Sequence, residues 1–185
     1  MINVRLNGFA LCLLAVLLAG CASSPTAVTD YDPAFDFLGA RNVYILPLDR
    51  QVSSVAAVSD IQAARMNEDL GRVLAERGYN VVDAAQQADL LLSWHLVTQE
   101  RTDVRTYNSA SARYTSCWSC PTSQSTNVSV RQFTQGTLIV DLIDPVGNRS
   151  VWRSIVEERL RDLSTDQAAE LRRDVALALF AEFPP

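Results

Sequence analysis

The chain switches between two hydrophobic periods, and the switches mark its predicted elements. Asn42 to Leu48 (NVYILPL) is a short apolar run rich in strand formers, with Pro47 near its end as expected at a strand terminus or sheet edge. From Ser59 the spacing becomes helical. Ala63, Met66, Leu70, Val73 and Leu74 recur on one face, and Arg65, Glu68, Asp69, Arg72 and Glu76 are expected on the other. Ser59 with Gln62 makes a capping box, and Gly78 stands where a left-handed C-terminal residue is wanted. Tyr79 to Val82 reads as a short extended piece. Period two follows: Leu90, Leu92, Trp94 and Leu96 share one strand face, with Ser93, His95 and Gln99 on the other. Gly136 to Ile143 (GTLIVDLI) and Ser150 to about Arg159 flank the turn formers Asp144-Pro145-Val146-Gly147-Asn148, a hairpin signal. Ser164 with Gln167 opens a last helix that carries Ala168, Leu171, Val175, Ala178 and Leu179 inward.

In order these elements read β-α-β-β-β-α. The expected fold is α+β: a single four-stranded, largely antiparallel sheet with two helices packed on one face. The other sheet face is then free for water or a partner. Residues 101–127, dense in Ser, Thr, Asn and Tyr, read as a polar loop.

A different pattern precedes the domain. Met1 to Asn7 is polar with one charge, Arg5, and Phe9 to Leu18 is continuously apolar, too short to span a bilayer as a helix. The small residues Ala19 and Gly20 precede Cys21, as a signal-peptidase site requires. Leu18-Ala19-Gly20-Cys21 resembles the bacterial lipobox. The resemblance implies cleavage between Gly20 and Cys21, diacylation of the Cys21 sulfur and acylation of the new N-terminus. Several acyl chains hold a soluble domain on a membrane where one would bind only marginally. The alternative is an ordinary secretory signal, with Cys21 carrying no lipid. Ala22 and Ser23 follow, and by the lipoprotein-sorting rule the lack of Asp there points to the outer membrane, periplasmic face, rather than the inner membrane. The expected organisation is a signal peptide at 1–20, a lipidated N-terminus and tether at 21–36, and the α+β domain at 37–185.

Composition narrows the partners. The 185 residues carry a net charge of −5, and the signal contains one of the sixteen basic residues and none of the acidic ones. An acidic chain without a basic run argues against nucleic acid and against a polybasic grip on anionic lipid. Every basic residue is Arg, which codon bias explains more simply than function.

Beyond the signal and anchor, only Cys117 and Cys120 remain, in a Cys-Trp-Ser-Cys loop that export would place in an oxidising compartment. A structural disulfide closing a tiny loop is the leading reading. Thiol–disulfide exchange would need a helix N-terminus or nearby positive charge to stabilise a thiolate. The residues after Pro121 show no helical period. Zinc would need four ligands, and two Cys with one distant His fall short. Trp118, in the same loop, is the candidate partner contact. His95, the only histidine, lies on the more polar strand face and reads as a surface residue before a base or ligand. Asp141 is expected to cap or pair within its hairpin and Asp144 to start the turn. No nucleophile elbow, phosphate loop or zinc-protease motif is present.

Several short motifs stand in a specific order: Cys21, Tyr31-Asp32-Pro33-Ala34-Phe35-Asp36-Phe37, Gly78-Tyr79, Ala88-Asp89-Leu90, 136–144 (GTLIVDLID), Val151-Trp152-Arg153 and the terminal Phe183-Pro184-Pro185. Together they resemble the bacterial DUF4136 lipoproteins over nearly the whole mature chain. The resemblance implies location and fold and brings no activity with it. The middle segment departs from the family, with Ser and Thr around CWSC where a Gly- and Tyr-rich loop is usual. The expected function is therefore a non-catalytic, lipid-anchored envelope module. It would use no cofactor beyond the lipid on Cys21 and would bind an envelope protein or polymer. The alternative is a membrane-tethered thiol–disulfide protein using Cys117 and Cys120.

Overall fold

The structure, a computed structural model, describes residues 24–49, 58–109 and 125–185. Its strands are β1 (Ala27–Tyr31), β2 (Asn42–Ile45), β3 (Asn80–Val81), β4 (Leu90–Ser109), β5 (Ser125–Asp144) and β6 (Arg149–Arg159). Helix α1 spans Asp60–Glu76 and α2 spans Thr165–Leu179. They form one six-stranded sheet in the order β1-β6-β5-β4-β2-β3. This corrects the expected single four-stranded, largely antiparallel sheet. The sheet is mixed: β1, β6, β5 and β4 pair antiparallel, while β2 runs parallel to both β3 and β4.

Three physical causes account for the difference. A 17-residue helix joins β2 to the strands that follow, and such a crossover returns the chain to start a parallel strand. β1 lies in the segment assigned to the tether. Its five residues carry no apolar run, yet Ala27 to Tyr31 pair with Val156 to Trp152 of β6. The expected loop 101–127 is largely strand, because β4 continues to Ser109 and β5 begins at Ser125. Their ladder runs unbroken from Leu91↔Ile143 to Ser109↔Ser125. β6 accompanies β5 only as far as Gln135↔Arg159, and β2 accompanies β4 only at Leu90 to Leu92. From Glu100↔Thr134 outward the β4–β5 pair is a two-stranded ribbon, about 30 Å long at ~3.3 Å per residue.

The helices form as their caps dictate. Both capping boxes are in place, with Ser59 and Ser164 accepting from the backbone N–H groups of Gln62 and Gln167. Gly78 adopts φ 83°, the left-handed conformation that ends α1 without a Cβ clash. Both helices pack on one face of the sheet, against Leu90, Leu92 and Trp94 of β4, Leu138, Val140 and Leu142 of β5, and Trp152 and Val156 of β6. Asp69, expected to face solvent, is buried on α1. Its carboxylate contacts Arg72 and lies 3.4 Å from Nε of Arg172, linking the two helices. No helix among the described residues is long and apolar enough to cross a membrane.

Candidate functional site

Both helices start at the same end of the sheet and run back against the strands, so the helix–sheet layer has two ends. At one, where the helices finish, aromatic rings close the layer. Trp152 stacks on Phe180 with centroids 5.2 Å apart, and Phe183 packs edge-on or tilted against Phe37, Tyr79, Trp152 and Phe180. Tyr79 donates its hydroxyl to the Phe37 carbonyl at 3.0 Å, and Arg77 Nε donates to the carbonyls of Phe180 (2.6 Å) and Phe183 (2.9 Å).

At the other end, where the helices begin and the ribbon leaves the sheet, the layer stays open around a cavity of about 450 Å³. Its floor is the helix-side face of the strands: Trp94, Leu96 and Thr98 of β4, Gly136 and Leu138 of β5, and Val156 and Glu158 of β6. Met66 of α1 and Leu171 and Val175 of α2 form the walls, with Leu160 and Leu163 of the β6–α2 connection. Its size falls within the roughly 300–1,000 Å³ usual for small-molecule sites, and its lining is mainly apolar, as such sites are. Gly136 shapes the floor. A Cβ there would stand 2.9 Å from the Leu160 Cδ2, so the bare backbone lets Leu160 lie over the sheet.

Few polar groups reach the cavity, and their pairing differs. The Trp94 indole donates to Asn67 Oδ1 at 2.8 Å. Arg172 donates Nη1 to the Ala168 carbonyl at 3.1 Å. Its Nε is buried and makes no hydrogen bond, since Asp69 at 3.4 Å supplies charge without hydrogen-bond geometry. Arg161 is exposed at the rim, and Glu158 is half-buried at the edge of the floor. The capped N-termini of α1 and α2 flank the same rim, where their dipoles are positive.

The ribbon extends this face outward. Residues of even number on β4 and β5 point to the helix side, so Val104, Val128 and Val130 share the face of the cavity floor, beyond the polar pairs Glu100–Thr134 and Thr102–Gln132. They are 59%, 60% and 59% exposed, large values for valines so close together. The ribbon's opposite face carries Arg101, Asp103, Arg105 and Tyr107 facing Phe133, Arg131, Ser129 and Asn127, and Arg159 lies 3.7 Å above the Phe133 ring.

The residues singled out from sequence are not at this site. Cys21, the Gly20–Cys21 junction, Cys117, Trp118 and Cys120 lie outside the described residues. His95 is on the sheet face away from the helices, half-buried, with Nε2 3.2 Å from the Ser93 hydroxyl. Asp141 is buried on that same face. It accepts from Ser150 Oγ (2.8 Å), Arg153 Nε (2.7 Å) and Arg153 Nη2 (3.0 Å), a pairing that holds Arg153 still more firmly protonated than usual. Asp144 accepts from the Val146 N–H at 2.9 Å and so starts its turn. Among the described residues no group of three His, Cys, Asp or Glu is placed to hold a metal ion. The sequence places Met66, Leu96 and Leu171 on the apolar faces of their elements; the surplus apolar surface at the open end shows only once both helices are docked.

A mixed sheet backed by two helices, with its central hairpin prolonged into a ribbon, defines the class of fold. The particular family follows from the chain itself: the model described as "Domain of unknown function (DUF4136)" matches residues 27–185, and the protein belongs to that family. Among solved structures, a PDZ domain protein from Parabacteroides distasonis is similar, with a TM-score of 0.51 and 13% identity over 87% of this chain. The match covers 37% of that protein, so this chain spans little more than a third of its length. A DUF4136 family protein from Bacteroides thetaiotaomicron matches with a TM-score of 0.42 and 16% identity, over 87% of this chain and 95% of that one. A PelC dodecamer from Paraburkholderia phytofirmans gives 0.45 and 15%, over 83% and 95%. At these identities the likeness concerns fold alone. None of the curated proteins matches the chain.

Proposed function

We propose that this DUF4136 protein is a lipid-anchored module of the outer membrane, facing the periplasm, that binds an envelope partner without catalysing a reaction. Acyl chains on Cys21 hold it to the membrane. The observation that carries the binding role is the open end of the layer, with an apolar cavity and, farther out on the same face of the projecting ribbon, three exposed valines. Exposed apolar surface of this kind persists on a soluble domain when something covers it in use. An envelope protein suits it better than a polymer, because valine side chains offer no hydrogen bonds to a glycan.

Two measurements test the reading. Labelled palmitate should enter the intact protein in cells and fail to enter Cys21→Ser; equal labelling of both would remove the anchor. A photo-crosslinking residue at Val104 or Val130 should trap one dominant envelope protein, while the same probe at Val146, on the turn at the opposite end, should not. Crosslinks of equal yield at all three positions would sink the binding face. With the probe moved to Val128 on the same face, the Val104→Asp/Val130→Asp double variant should abolish the crosslinked product and change stability by less than about 1 kcal/mol, since both side chains are exposed.

A further inference from the structure

We infer that the cavity at the open end is an acyl-chain site for a single-chain anionic amphiphile, its hydrocarbon against Trp94, Leu96, Leu138 and Leu171 and its head at Arg161 and Arg172. The inference deepens the binding role proposed above and rests on the anchor at Cys21 for the site's position.

Three observations support it. The first is shape and lining: an apolar space of about 450 Å³ between a sheet and two helices suits an alkyl chain better than a folded partner, which could enter only by a few side chains. The second is charge. Arg161, Arg172 and Arg72 stand against two carboxylates, Glu158 and the buried Asp69 that Arg72 and Arg172 share, which leaves one positive charge in excess. Arg161 has no ion pair among the described residues, and Arg172 keeps a buried Nε without an acceptor. An anionic head pairs with the exposed Arg161 and gives the partly exposed Arg172 a second anion beside Asp69, and the positive ends of the two helix dipoles favour the same sign.

The third is the direction of the chain. β1 is antiparallel to β6 and pairs Ala27 with Val156, which lines the cavity. The chain before Ala27 therefore leaves toward the open end, and away from the aromatic one. Cys21 stands six positions before Ala27, a reach of at most about 20 Å. An anchored Cys21 thus holds Ala27, which pairs with Val156 of the cavity floor, within that distance of the bilayer, where acyl chains are the abundant apolar ligand.

The test uses residues 22–185, which contain every described strand and helix and lack only the signal and the lipidated cysteine. Dodecanoate, decanoate, dodecyltrimethylammonium and a twelve-carbon lysophosphatidylglycerol are titrated by calorimetry below their micellar concentrations. Bromine-labelled dodecanoate reports position by quenching Trp94. Burying one methylene is worth ~0.8 kcal/mol, about fourfold in Kd, so decanoate should bind roughly fifteenfold more weakly than dodecanoate. The cationic amphiphile should bind at least about tenfold more weakly, and Arg161→Gln should weaken the anions about tenfold while preserving the chain-length step.

Ala168→Phe, which fills the cavity from α2, should abolish binding with the melting temperature kept. Trp94→Phe should lose most of the quenching, which assigns it to the tryptophan at the cavity. Binding of dodecanoate and the lysolipid together supports a site for any anionic acyl chain, and binding of the lysolipid alone assigns it to phospholipid. No binding by either, or binding indifferent to chain length and to Ala168→Phe, would overturn the acyl site. A Val104 crosslink that persists in that case leaves the partner face standing, so the two readings fail separately.

Discussion

The two ends of the helix–sheet layer are built from the same strands and helices, yet one is finished and the other is not. At the aromatic end, Trp152 and Phe180 are fully buried, and the chain's last residues fold back so that Phe183 fills the remaining gap. At the ribbon end, α1 and α2 begin over strands that continue past them, and nothing among the described residues covers Leu96 and Leu171 fully. Stability and binding are thereby separated. Closing one end supplies cohesion, and leaving the other open supplies a surface for a ligand. Substitutions of equal size should therefore have unequal effects at the two ends.

The largest effect is expected from Phe180→Ala. Removing a buried ring stacked on Trp152 leaves a cavity that its neighbours cannot collapse into, and the loss should be about 3–5 kcal/mol in urea unfolding. Leu171→Ala at the open end removes a side chain already half hydrated and should cost nearer 1 kcal/mol. Equal losses would mean that the open end is as tightly packed as the closed one.

Enlarging side chains sharpens the contrast, because the two ends should then respond differently in kind. Ala176 on α2 is fully buried, so Ala176→Phe must displace its neighbours and should destabilise by about 3 kcal/mol. Ala168→Phe, two turns earlier on the same helix, enters empty space and should leave the melting temperature unchanged or raise it slightly. A large loss from Ala168→Phe would show that the cavity closes in solution. Gly136→Ala tests the floor on a finer scale. The new methyl would stand 2.9 Å from one Leu160 methyl, the far end of a flexible and exposed side chain, so a cost below about 1 kcal/mol is expected as Leu160 swings away.

How far the sequence foretells these ends depends on what shaped each of them. The helices were legible because local signals define them: two capping boxes, a left-handed glycine and a 3.6-residue stripe. The core strands were legible because one face is buried, so Leu92, Trp94 and Leu96 alternate with Ser93 and His95. The ribbon was not. Thr102, Val104 and Thr106 alternate with charged and aromatic residues, and both faces stay wet, so no hydrophobic period distinguishes strand from loop. Continuation of the ladder from the sheet decides it. β1 failed for a related reason: five residues with Asp and Thr among them become strand only because the edge of β6 is vacant. Strand direction was missed because it is a property of connections. The aromatic end was half legible, since Phe35, Phe37 and Phe183 stand out in the sequence while their meeting depends on the fold. The open end was illegible as a cavity, because the residues lining it are those expected of a core.

The smallest expected effect concerns pH, and it too distinguishes the ends. Two carboxylates near the aromatic end are held below the usual range. Asp89 accepts the backbone N–H groups of Arg41 (2.9 Å) and Asn42 (2.8 Å), which clamp the start of β4 to the start of β2. Asp32 accepts from the Ala34 N–H at 2.9 Å and is contacted by Arg149 across the sheet edge. A carboxyl whose folded pKa lies below its unfolded value, about 3.9 for Asp, favours folding above that value. Its contribution fades as the pH drops further and is gone once the lowered folded pKa is passed. Unfolding midpoints of the wild type should therefore fall from pH 5 toward pH 2. Asp89→Asn should lower the midpoint at pH 7 by no more than about 1 kcal/mol, because solvent competes for these exposed bonds. The variant and the wild type should then converge in acid, where the native carboxyl is itself protonated. Urea midpoints at pH 7, 4, 3 and 2 decide it. Parallel curves would show that the amide bonds to Asp89 contribute nothing that depends on its charge, whereas convergence would locate the acid-sensitive clamp at the aromatic end.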